Sequence, residues 1–281
     1  TSMALLQVPQ SIIEENVFNA LKEDIGDGDI TAELIPQDNI SLATVISRED
    51  CVFCGLDWFE ETYRQVDPDI LIDWCVDDGD RIEAGQVLCT ISGSSQKIVS
   101  GERAALNFVQ MLSGTATLSA VYADRIKDTE CKVLDTRKTI PGLRMAQKYA
   151  VSCGGCENHR IGLFDAFLIK ENHINACDGI ANAVSEARFH NPDLPVEVEV
   201  ENFDELQQAM DAGADRVLLD NFDTDMMKQA VDICKGKIIT EASGNITLDN
   251  IHDVAMTGVD YISTGALTKD VKAIDLSMRF D

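Results

Sequence analysis

The sequence VEVEVENFDELQQAMDAGADRVLLDN, residues 196–221, contains one complete strand–helix–strand unit. Its two ends, 196–200 and 216–220, are short runs rich in Val and Leu, and the segment 203–213 between them has helical character. Apolar runs that alternate with helices indicate a parallel sheet covered by helices. The unit therefore predicts an α/β architecture with parallel strands.

The same alternation extends over the second part of the chain. A long helical stretch, 101–128, precedes it, and the predicted strands are 131–135, 166–170, 196–200, 216–220, 237–241 and 260–264, with helices at 203–213, 224–234 and 247–257 among them. Six such units can form an open doubly wound sheet or a closed barrel. Polar residues follow every strand, and this placement favours the barrel.

The first hundred residues have a different sequence pattern. Residues 9–24 show the apolar spacing of an amphipathic helix, and SLATVISRE (41–49) and DILIDWCV (69–76) alternate as strands do. The segment GDRIEAGQVLCTISG (79–93) has a hairpin-like pattern that is also seen in biotinyl and lipoyl carrier modules. Lys97 lacks the flanks of a carrier lysine, so we attribute this likeness to turn chemistry.

Composition narrows the class of protein. The 281 residues carry 23 basic and 49 acidic side chains, a formal charge of −26, which argues against nucleic acid or an anionic membrane as the main partner. Apolar runs are shorter than the roughly 18 residues of a membrane span, and TSMALLQVPQ lacks the pattern of a signal peptide. Nine cysteines without regular spacing indicate reduced thiols and a cytoplasmic location.

One segment departs from the overall acidity. Residues 135–173 contain six Lys or Arg side chains against four carboxylates. Together with the spacing of the strands, this local excess predicts a site for an anionic ligand with several negative groups.

Charged, polar or glycine residues lie at the end of each of the six predicted strands or directly after it. Because the carboxyl ends of parallel strands meet on one face of an α/β barrel, we expect these residues to share one rim. A single Asp there can instead cap a helix, and a single Gly can serve only the turn. Six strands that all contribute such residues favour a site, and they supply Asp135, Thr136, Arg137, Lys138, Lys170, Glu197, Glu199, Glu201, Asp220, Asn221, Glu241, Ser243, Gly244, Thr264 and Gly265.

The rim residues fall into groups that suit different ligands. Arg and Lys bind carboxylates and phosphates, and Glu199 and Asp220 offer the oxygen ligands that Mg²⁺ prefers. The segments EASGN (241–245) and STGAL (263–267) place small residues and backbone N–H groups before helices, which suits a phosphate. The residues alone therefore predict an enzyme that binds a phosphorylated, multiply anionic substrate together with Mg²⁺.

Beyond spacing, the sequence resembles the quinolinate phosphoribosyltransferases, or carboxylating nicotinate-nucleotide pyrophosphorylases, over nearly its whole length. The resemblance rests on EDIGDGDIT, SGERAALNF, DTRKTIPGLR, NHRIGLFDAFLIKENHI, VEVEVEN, LLDNF, EASGNI and DYISTGALT, in this order. One departure is Cys156, where the family commonly has a third glycine in CGGGxNHR.

The resemblance implies a fold and a reaction. The fold is an N-terminal α/β sandwich-like domain, residues 1–110, onto which the tail 267–281 packs, and an open, incomplete α/β barrel of six or seven strands, residues 111–266. The reaction joins quinolinate to phosphoribosyl pyrophosphate and gives nicotinate mononucleotide, pyrophosphate and carbon dioxide, with Mg²⁺. The resemblance also implies a homodimer, and it leaves open whether dimers assemble further.

The resemblance assigns roles to matching positions. It implies that Arg137, His159, Arg160 and Lys170 hold the quinolinate carboxylates, and that Arg103 reaches into the partner subunit's site. Lys138 and Lys170 would face the phosphates, and Glu199 and Asp220 would hold ribose hydroxyls and Mg²⁺. The 5′-phosphate would be bound by Ser243, Gly244, Thr264 and Gly265, and the wider substrate site includes Thr136 and Asn245. The expected catalytic residues are Lys138, Lys170, Glu199 and Asp220, and His173 could orient Lys170 or cap a helix.

Three alternatives stay open from the sequence. The first is a transferase of the same fold that takes nicotinate, or a paralogue from metal-uptake operons. The second is a non-catalytic binding or carrier protein that uses the N-terminal turns. The third is a zinc or redox protein built on Cys153 and Cys156, the one CxxC of the chain. For Arg144 and Lys148, a solvated or salt-bridged surface is the alternative to a role in the site.

Overall fold

The computed structural model describes residues 5–281, so the first four residues of the segment considered for a signal peptide lie outside it. The chain divides into two compact units. Of the described residues, the first comprises 5–120, Thr139–Gly155 and Leu267–Asp281, and the second comprises Val121–Lys138 and Cys156–Ala266. These units differ from the predicted division at residue 110 chiefly in the segment 139–155, which packs with the first unit.

The first unit is built on an antiparallel sheet. Its four strands lie in the order β12–β1–β5–β3, and β2 pairs separately with β4. The hairpin suggested by residues 79–93 does not form, because β4 pairs with β2 and β5 pairs with β1 and β3. The elements of this unit are α1 (Gln10–Asp24), β1 (Ile40–Ser47), β2 (Cys51–Val52), α2 (Leu56–Val66), β3 (Leu71–Trp74), β4 (Arg81–Ile82), β5 (Val87–Ser94), α4 (Arg144–Cys153) and β12 (Leu276–Phe280).

Aromatic side chains of α2 belong to two apolar clusters. Phe59 and Tyr63 pack with the sheet, whereas Trp58 packs with Ile13 and Val17 of α1. Trp58, Phe59 and Tyr63 are at most 1% exposed, and the Tyr63 hydroxyl donates a hydrogen bond to the Ile98 carbonyl over 2.9 Å. Burial of each such ring contributes about 1.5–3 kcal/mol, so α2 adds substantially to the stability of the first unit.

Helix α3 (Ser95–Arg125) explains why the segment 139–155 belongs to the first unit. Gly154 at the end of α4 lies so close to α3 that an added Cβ would come within 2.3 Å of the Ala116 carbonyl oxygen. Ala146 and Ala150 of α4 share an apolar cluster with Leu112 of α3. Small side chains on α4 therefore permit close helix packing.

The second unit contains a parallel sheet of six strands in the order β6–β11–β10–β9–β8–β7. This is the predicted fold class, an open, barrel-like α/β sheet in one unit and a smaller N-terminal sheet in the other. Within residues 5–281, the parallel sheet has six strands. The elements are β6 (Lys132–Leu134), β7 (Phe167–Ile169), α5 (Glu171–Ala176), α6 (Ile180–His190), β8 (Val196–Val200), α7 (Phe203–Asp211), β9 (Arg216–Leu219), α8 (Thr224–Cys234), β10 (Ile239–Ser243), α9 (Ile251–Ala255) and β11 (Tyr261–Ser263). A short helix, α10 (Ala266–Lys269), follows β11.

Strand β8 separates the two faces of this sheet. Successive side chains of a strand point to opposite faces, so Val196, Val198 and Val200 share one face and Glu197 and Glu199 share the other. The three valines are fully buried, as expected for the face that helices cover. The glutamates therefore mark the polar inner face of the open barrel.

Two helices of this unit begin at side-chain caps. Asn202 accepts a hydrogen bond from the Glu205 N–H before α7, and Asp223 accepts one from the Met226 N–H before α8. Such caps are worth about 1 kcal/mol each and fix where the helices start. Within residues 5–281, no helix is both long enough and apolar enough to cross a membrane.

Candidate active site

The register of the parallel sheet brings the predicted rim residues to one level. Ser263 of β11 is paired with Ser243 of β10 and with Leu134 of β6, and Leu219 of β9 is paired with Ala242 and Val200. Neighbouring strands lie about 4.8 Å apart, so the residues that follow these strands are close together in space. The rim thus collects Asp135–Lys138, Glu201, Asp220, Gly244 and Thr264 at the carboxyl end of the sheet.

Three of the predicted cations share a cleft. Arg137, Arg160 and Lys170 line a cavity of about 770 Å³ together with His173. Burial lowers the pKa of Arg160, and the neighbouring positive charge of Arg137 lowers it further. Two guanidinium groups that repel each other in one cleft suit a ligand with more than one carboxylate.

His173 acts on the backbone beside this cleft. Its Nδ1 accepts a hydrogen bond of 3.0 Å from the Lys170 N–H at the start of α5. One of the two expected roles for His173, the capping of a helix, is therefore present, and it also fixes the backbone from which the Lys170 side chain extends.

The segment that carries Arg160 is held by two carboxylates. Asp135, which is fully buried, accepts hydrogen bonds from the His159 N–H over 2.8 Å and from the Asn158 amide over 2.6 Å. Asp165 accepts bonds from the backbone N–H groups of Ile161 and Gly162. Residues 158–162 are thus anchored on both sides of Arg160.

The His159 ring points to two buried glutamates. Its Nε2 lies 2.8 Å from Glu197 Oε1 and 3.1 Å from Glu241 Oε1, and its Nδ1 accepts the Arg160 N–H over 2.9 Å. Burial raises the pKa of Glu197 to about 7, and its Oε2 has no hydrogen-bond partner among residues 5–281. These features fit a carboxyl group that shares a proton with Glu241.

Two effects on His159 oppose each other. Burial lowers the pKa of His159, but hydrogen bonds to Glu197 and Glu241 raise it to about 9 overall. Protonation of Nδ1 would break its bond with the Arg160 N–H. The raised pKa favours the charged ring, but the bond from the Arg160 N–H exists only when Nδ1 carries no proton. The hydrogen-bond geometry therefore describes the neutral ring with its proton on Nε2.

A trio of carboxylates lies on the other side of the rim. Oxygen atoms of Glu199, Glu201 and Asp220 all lie within 4.8 Å of one another. Burial raises the pKa of Glu199, and the negative charge of Asp220 raises it further, whereas Lys170 lowers it. The two predicted metal ligands are therefore adjacent, and Glu201 joins them as a third oxygen donor.

Glycines and small side chains form the remaining part of the rim. Gly244 and Asn245 after β10 have positive φ angles of 91° and 56°, which sharply turn the chain away from the sheet. Gly265 packs against Thr136 and Lys138 and directly precedes α10. Ser243 and Thr264 end or follow their strands as predicted, although α9 starts only at Ile251, several residues beyond EASGN.

The other candidates from the sequence lie in the first unit. Arg103 is exposed on α3, so its predicted reach into a partner subunit's site stays a prediction. Lys148 is fully buried on α4, which excludes a solvated surface for it, and the Arg144 guanidinium donates to Thr139 over 2.9 Å.

Cys153 and Cys156, the two cysteines of the CxxC motif, have different partners. The Cys153 thiol lies 3.8 Å from the Cys54 thiol, and both are buried. Burial raises the pKa of the Cys156 thiol, which bonds the Ala123 backbone. All nine cysteines lie within residues 5–281 and are free thiols. The geometry therefore gives no support to a zinc or redox site on Cys153 and Cys156.

Sequence reasoning missed the buried partners of the site. Glu197 and Glu241 were seen as charged strand residues, but nothing predicted that both would meet His159. The available signal was a glutamate in the middle of an apolar strand, because a buried carboxylate needs a partner. Which partner each glutamate would find could not be predicted from the sequence.

Comparison with known proteins agrees with this geometry. Residues 29–113 match the family model for the N-terminal domain of quinolinate phosphoribosyl transferase, and residues 115–279 match that for its C-terminal domain. A chloroplastic nicotinate-nucleotide pyrophosphorylase (carboxylating) of Oryza sativa subsp. japonica is 41% identical over 93% of this chain and 76% of that protein.

Two further relatives extend the likeness to bacteria and to a solved structure. A probable nicotinate-nucleotide pyrophosphorylase (carboxylating) of Bacillus subtilis (strain 168) is 40% identical over 91% of this chain and 89% of that protein. The structure of the nicotinate-nucleotide pyrophosphorylase from Francisella tularensis is 48% identical, covers 100% of both chains and gives a TM-score of 0.96. On its sequence, its fold and its candidate site, this chain belongs to the quinolinate phosphoribosyltransferase family.

Proposed function

We propose that this protein transfers the phosphoribosyl group of phosphoribosyl pyrophosphate to the ring nitrogen of quinolinate. The products are nicotinate mononucleotide, pyrophosphate and carbon dioxide, which places the enzyme in the de novo synthesis of NAD. Its class is that of a pentosyltransferase, consistent with the family to which the chain belongs.

The observation that carries this proposal is the position of Lys170. This residue lines the cationic cleft with Arg137 and Arg160, and its charge also acts on Glu199 of the carboxylate trio. A dicarboxylate in the cleft would therefore lie beside the carboxylates suited to a ribose and a metal ion. Two bound substrates in contact are what a transfer reaction requires.

The chain's own residues suit the chemistry. Departure of pyrophosphate leaves positive charge at the anomeric carbon of the ribose, and Lys138 and Lys170 would neutralise the leaving group. The pyridine nitrogen then attacks that carbon, and Arg137 and Arg160 would hold the ring in line. The ribosylated nitrogen is cationic and stabilises the carbanion left when the adjacent carboxylate departs as carbon dioxide. A proton from water then forms the C–H bond at that ring carbon and completes nicotinate mononucleotide. Bond formation needs no general base, so catalysis rests on positioning and electrostatics.

A magnesium ion is part of the proposal. Three adjacent carboxylates fit the hard oxygen donors that Mg²⁺ prefers, and Glu199 and Asp220 would hold it with Glu201 nearby. The ion would supply positive charge to the pyrophosphate oxygens. The same two side chains would also be within reach of the ribose hydroxyls.

The proposal extends to the assembly and the location of the protein. We expect a homodimer in which the exposed Arg103 completes the site of the partner subunit. Free thiols at all nine cysteines fit a reducing compartment, and we propose the cytoplasm.

The proposal is tested by an assay with quinolinate, phosphoribosyl pyrophosphate and Mg²⁺ that follows carbon dioxide and nicotinate mononucleotide. A parallel reaction replaces quinolinate with nicotinate. Turnover of quinolinate alone supports the proposal, because two carboxylates match the Arg137 and Arg160 pair. Turnover of nicotinate alone would move the protein to the nicotinate-specific alternative, and product from neither substrate would overturn the proposed activity.

A further inference from the structure

Glu241 is a buried glutamate with several polar partners on the inner face of the second unit. It lies within β10, its side chain is 2% exposed, and its carboxylate contacts four other side chains. Ser263 donates to Oε2 over 2.7 Å, and Oε1 lies 3.1 Å from His159 Nε2 and 3.4 Å from the Arg216 guanidinium, with Glu197 alongside. A side chain so enclosed cannot touch a substrate in the cleft.

The contacts of Glu241 fix its carboxylate in place. Arg216 also stacks on Tyr261, with its guanidinium carbon 4.5 Å from the ring centroid, so this partner is itself immobilised. A buried carboxylate with several charge-assisted hydrogen bonds is rigid, because any rotation would leave polar groups without partners. Glu241 can therefore define the orientation of whatever it binds.

The His159 ring connects Glu241 to the backbone of Arg160 by hydrogen bonds. Its Nε2 is bound to Glu241 and Glu197, and its Nδ1 accepts the Arg160 N–H. The direct grip on a quinolinate carboxylate that the resemblance implies for His159 stays a prediction. The geometry adds a contact between the ring and the Arg160 backbone.

We propose that Glu241 is a positioning residue of the quinolinate site. It holds the His159 ring, the ring holds the backbone of Arg160, and the Arg160 guanidinium is thereby presented to a substrate carboxylate. This inference rests on the proposed function. It predicts that Glu241 affects the binding of quinolinate and leaves the binding of phosphoribosyl pyrophosphate unchanged.

The test is a double-mutant cycle on the whole enzyme. Glu241→Gln keeps the size of the side chain and removes its charge. We expect the KM and the directly measured Kd for quinolinate to rise about tenfold, with the KM for phosphoribosyl pyrophosphate within about twofold of the wild type. In an Arg160→Ala background, the same change should add little, since the group that it positions is gone.

A matched control separates positioning from a general loss of stability. Glu61 of α2 is also a buried glutamate, 3% exposed, and it accepts a hydrogen bond from Gln10. Glu61→Gln should lower the melting temperature without changing the Kd for quinolinate. If Glu241→Gln does not fold, Ser263→Ala can replace it, because it removes one hydrogen bond to Glu241. In this variant the KM and Kd for quinolinate should rise about threefold, with the KM for phosphoribosyl pyrophosphate unchanged.

The outcomes are distinct. The positioning role would be overturned if Glu241→Gln weakened the binding of both substrates equally, or if its effect on quinolinate binding added to that of Arg160→Ala. Turnover of quinolinate by the wild type would still leave the proposed function intact. A wild-type enzyme that neither binds nor converts quinolinate would overturn the proposed function and this inference with it.

Discussion

Gly265 lies directly against the Lys138 side chain. A Cβ added at residue 265 would come within 2.6 Å of the Lys138 Cδ and 3.3 Å of the Thr136 hydroxyl. The absence of a side chain after β11 is therefore what allows the lysine after β6 to extend along the rim.

This contact makes Gly265→Ala a test of Lys138. The new methyl group would displace the end of a flexible side chain, so we expect little loss of stability and a fall of about tenfold in kcat/KM for phosphoribosyl pyrophosphate. Steady-state kinetics and thermal unfolding measure both. In a Lys138→Ala background the same substitution should have almost no further effect. A full tenfold loss in that background would show that Gly265 acts on something other than Lys138.

Arg137 provides the sharpest test of the cationic cleft. Arg137→Ala should lower kcat/KM for quinolinate about a hundredfold or more, because the bidentate grip on one carboxylate is lost and Arg160 is left as the only arginine of residues 5–281 that lines this cleft. The side chain is exposed, so the melting temperature should stay close to that of the wild type. Arg137→Lys should restore part of the activity, since a point charge replaces a fork. Normal turnover and Michaelis constants in Arg137→Ala would contradict the assigned role.

The carboxylate trio predicts graded effects on the Mg²⁺ requirement. Glu199→Gln and Asp220→Asn should each raise the Mg²⁺ concentration for half-maximal activity about tenfold or more. Glu201 is exposed, so Glu201→Gln should have a smaller effect. Calorimetric titration with Mn²⁺ gives a readout independent of turnover. Unchanged ion binding in both stronger variants would remove these residues from the metal site.

Asp78 predicts a pH dependence of stability. Burial raises the pKa of Asp78, although it accepts hydrogen bonds from Tyr149 and from the Leu56 and Gly55 N–H groups. A carboxyl group with a raised pKa in the folded state contributes stability that is complete below its unfolded pKa of about 3.9. That stability is lost as the pH rises through the folded-state pKa.

Asp78→Asn keeps the shape of the side chain and cannot ionise. The melting temperature of this variant relative to the wild type should therefore increase between pH 4 and pH 8. Tyr149→Phe removes a bond that favours the charged carboxylate, so its relative stability should fall over the same range. Melting curves for the three proteins at several pH values measure this, and parallel pH profiles would contradict the prediction.

The buried cysteines allow a direct test of the zinc alternative on Cys153 and Cys156. We expect no stoichiometric zinc in protein purified without chelators. Cys156→Ala should cost about 1 kcal/mol of unfolding free energy, because a buried group is removed, and should leave kcat unchanged. Elemental analysis and denaturant unfolding measure these outcomes. One zinc ion per chain that is lost in Cys156→Ala would revive the metal alternative.

Much of the fold was predictable because its signals are local. Alternating apolar strands and helices gave the six parallel strands of the second unit, each within a few residues of its final bounds. The amphipathic segment 9–24 became α1. The hairpin-like pattern of residues 79–93 did not become a hairpin, because strand pairing depends on which distant strand covers the free edge, and β1 and β3 cover β5.

By itself, the sequence determined which residue types stand at the strand ends, and the parallel arrangement then required them to meet at one edge. It could not determine the partners of buried side chains. His159 and Glu241 are 82 residues apart, yet they share a hydrogen bond. Only the tertiary structure brings the two together, because β10 and the segment after α4 meet in space through the packing of whole elements. The rim was therefore fixed by local pattern and chain direction, whereas the support behind it was decided by long-range packing, where each buried charge must find a partner.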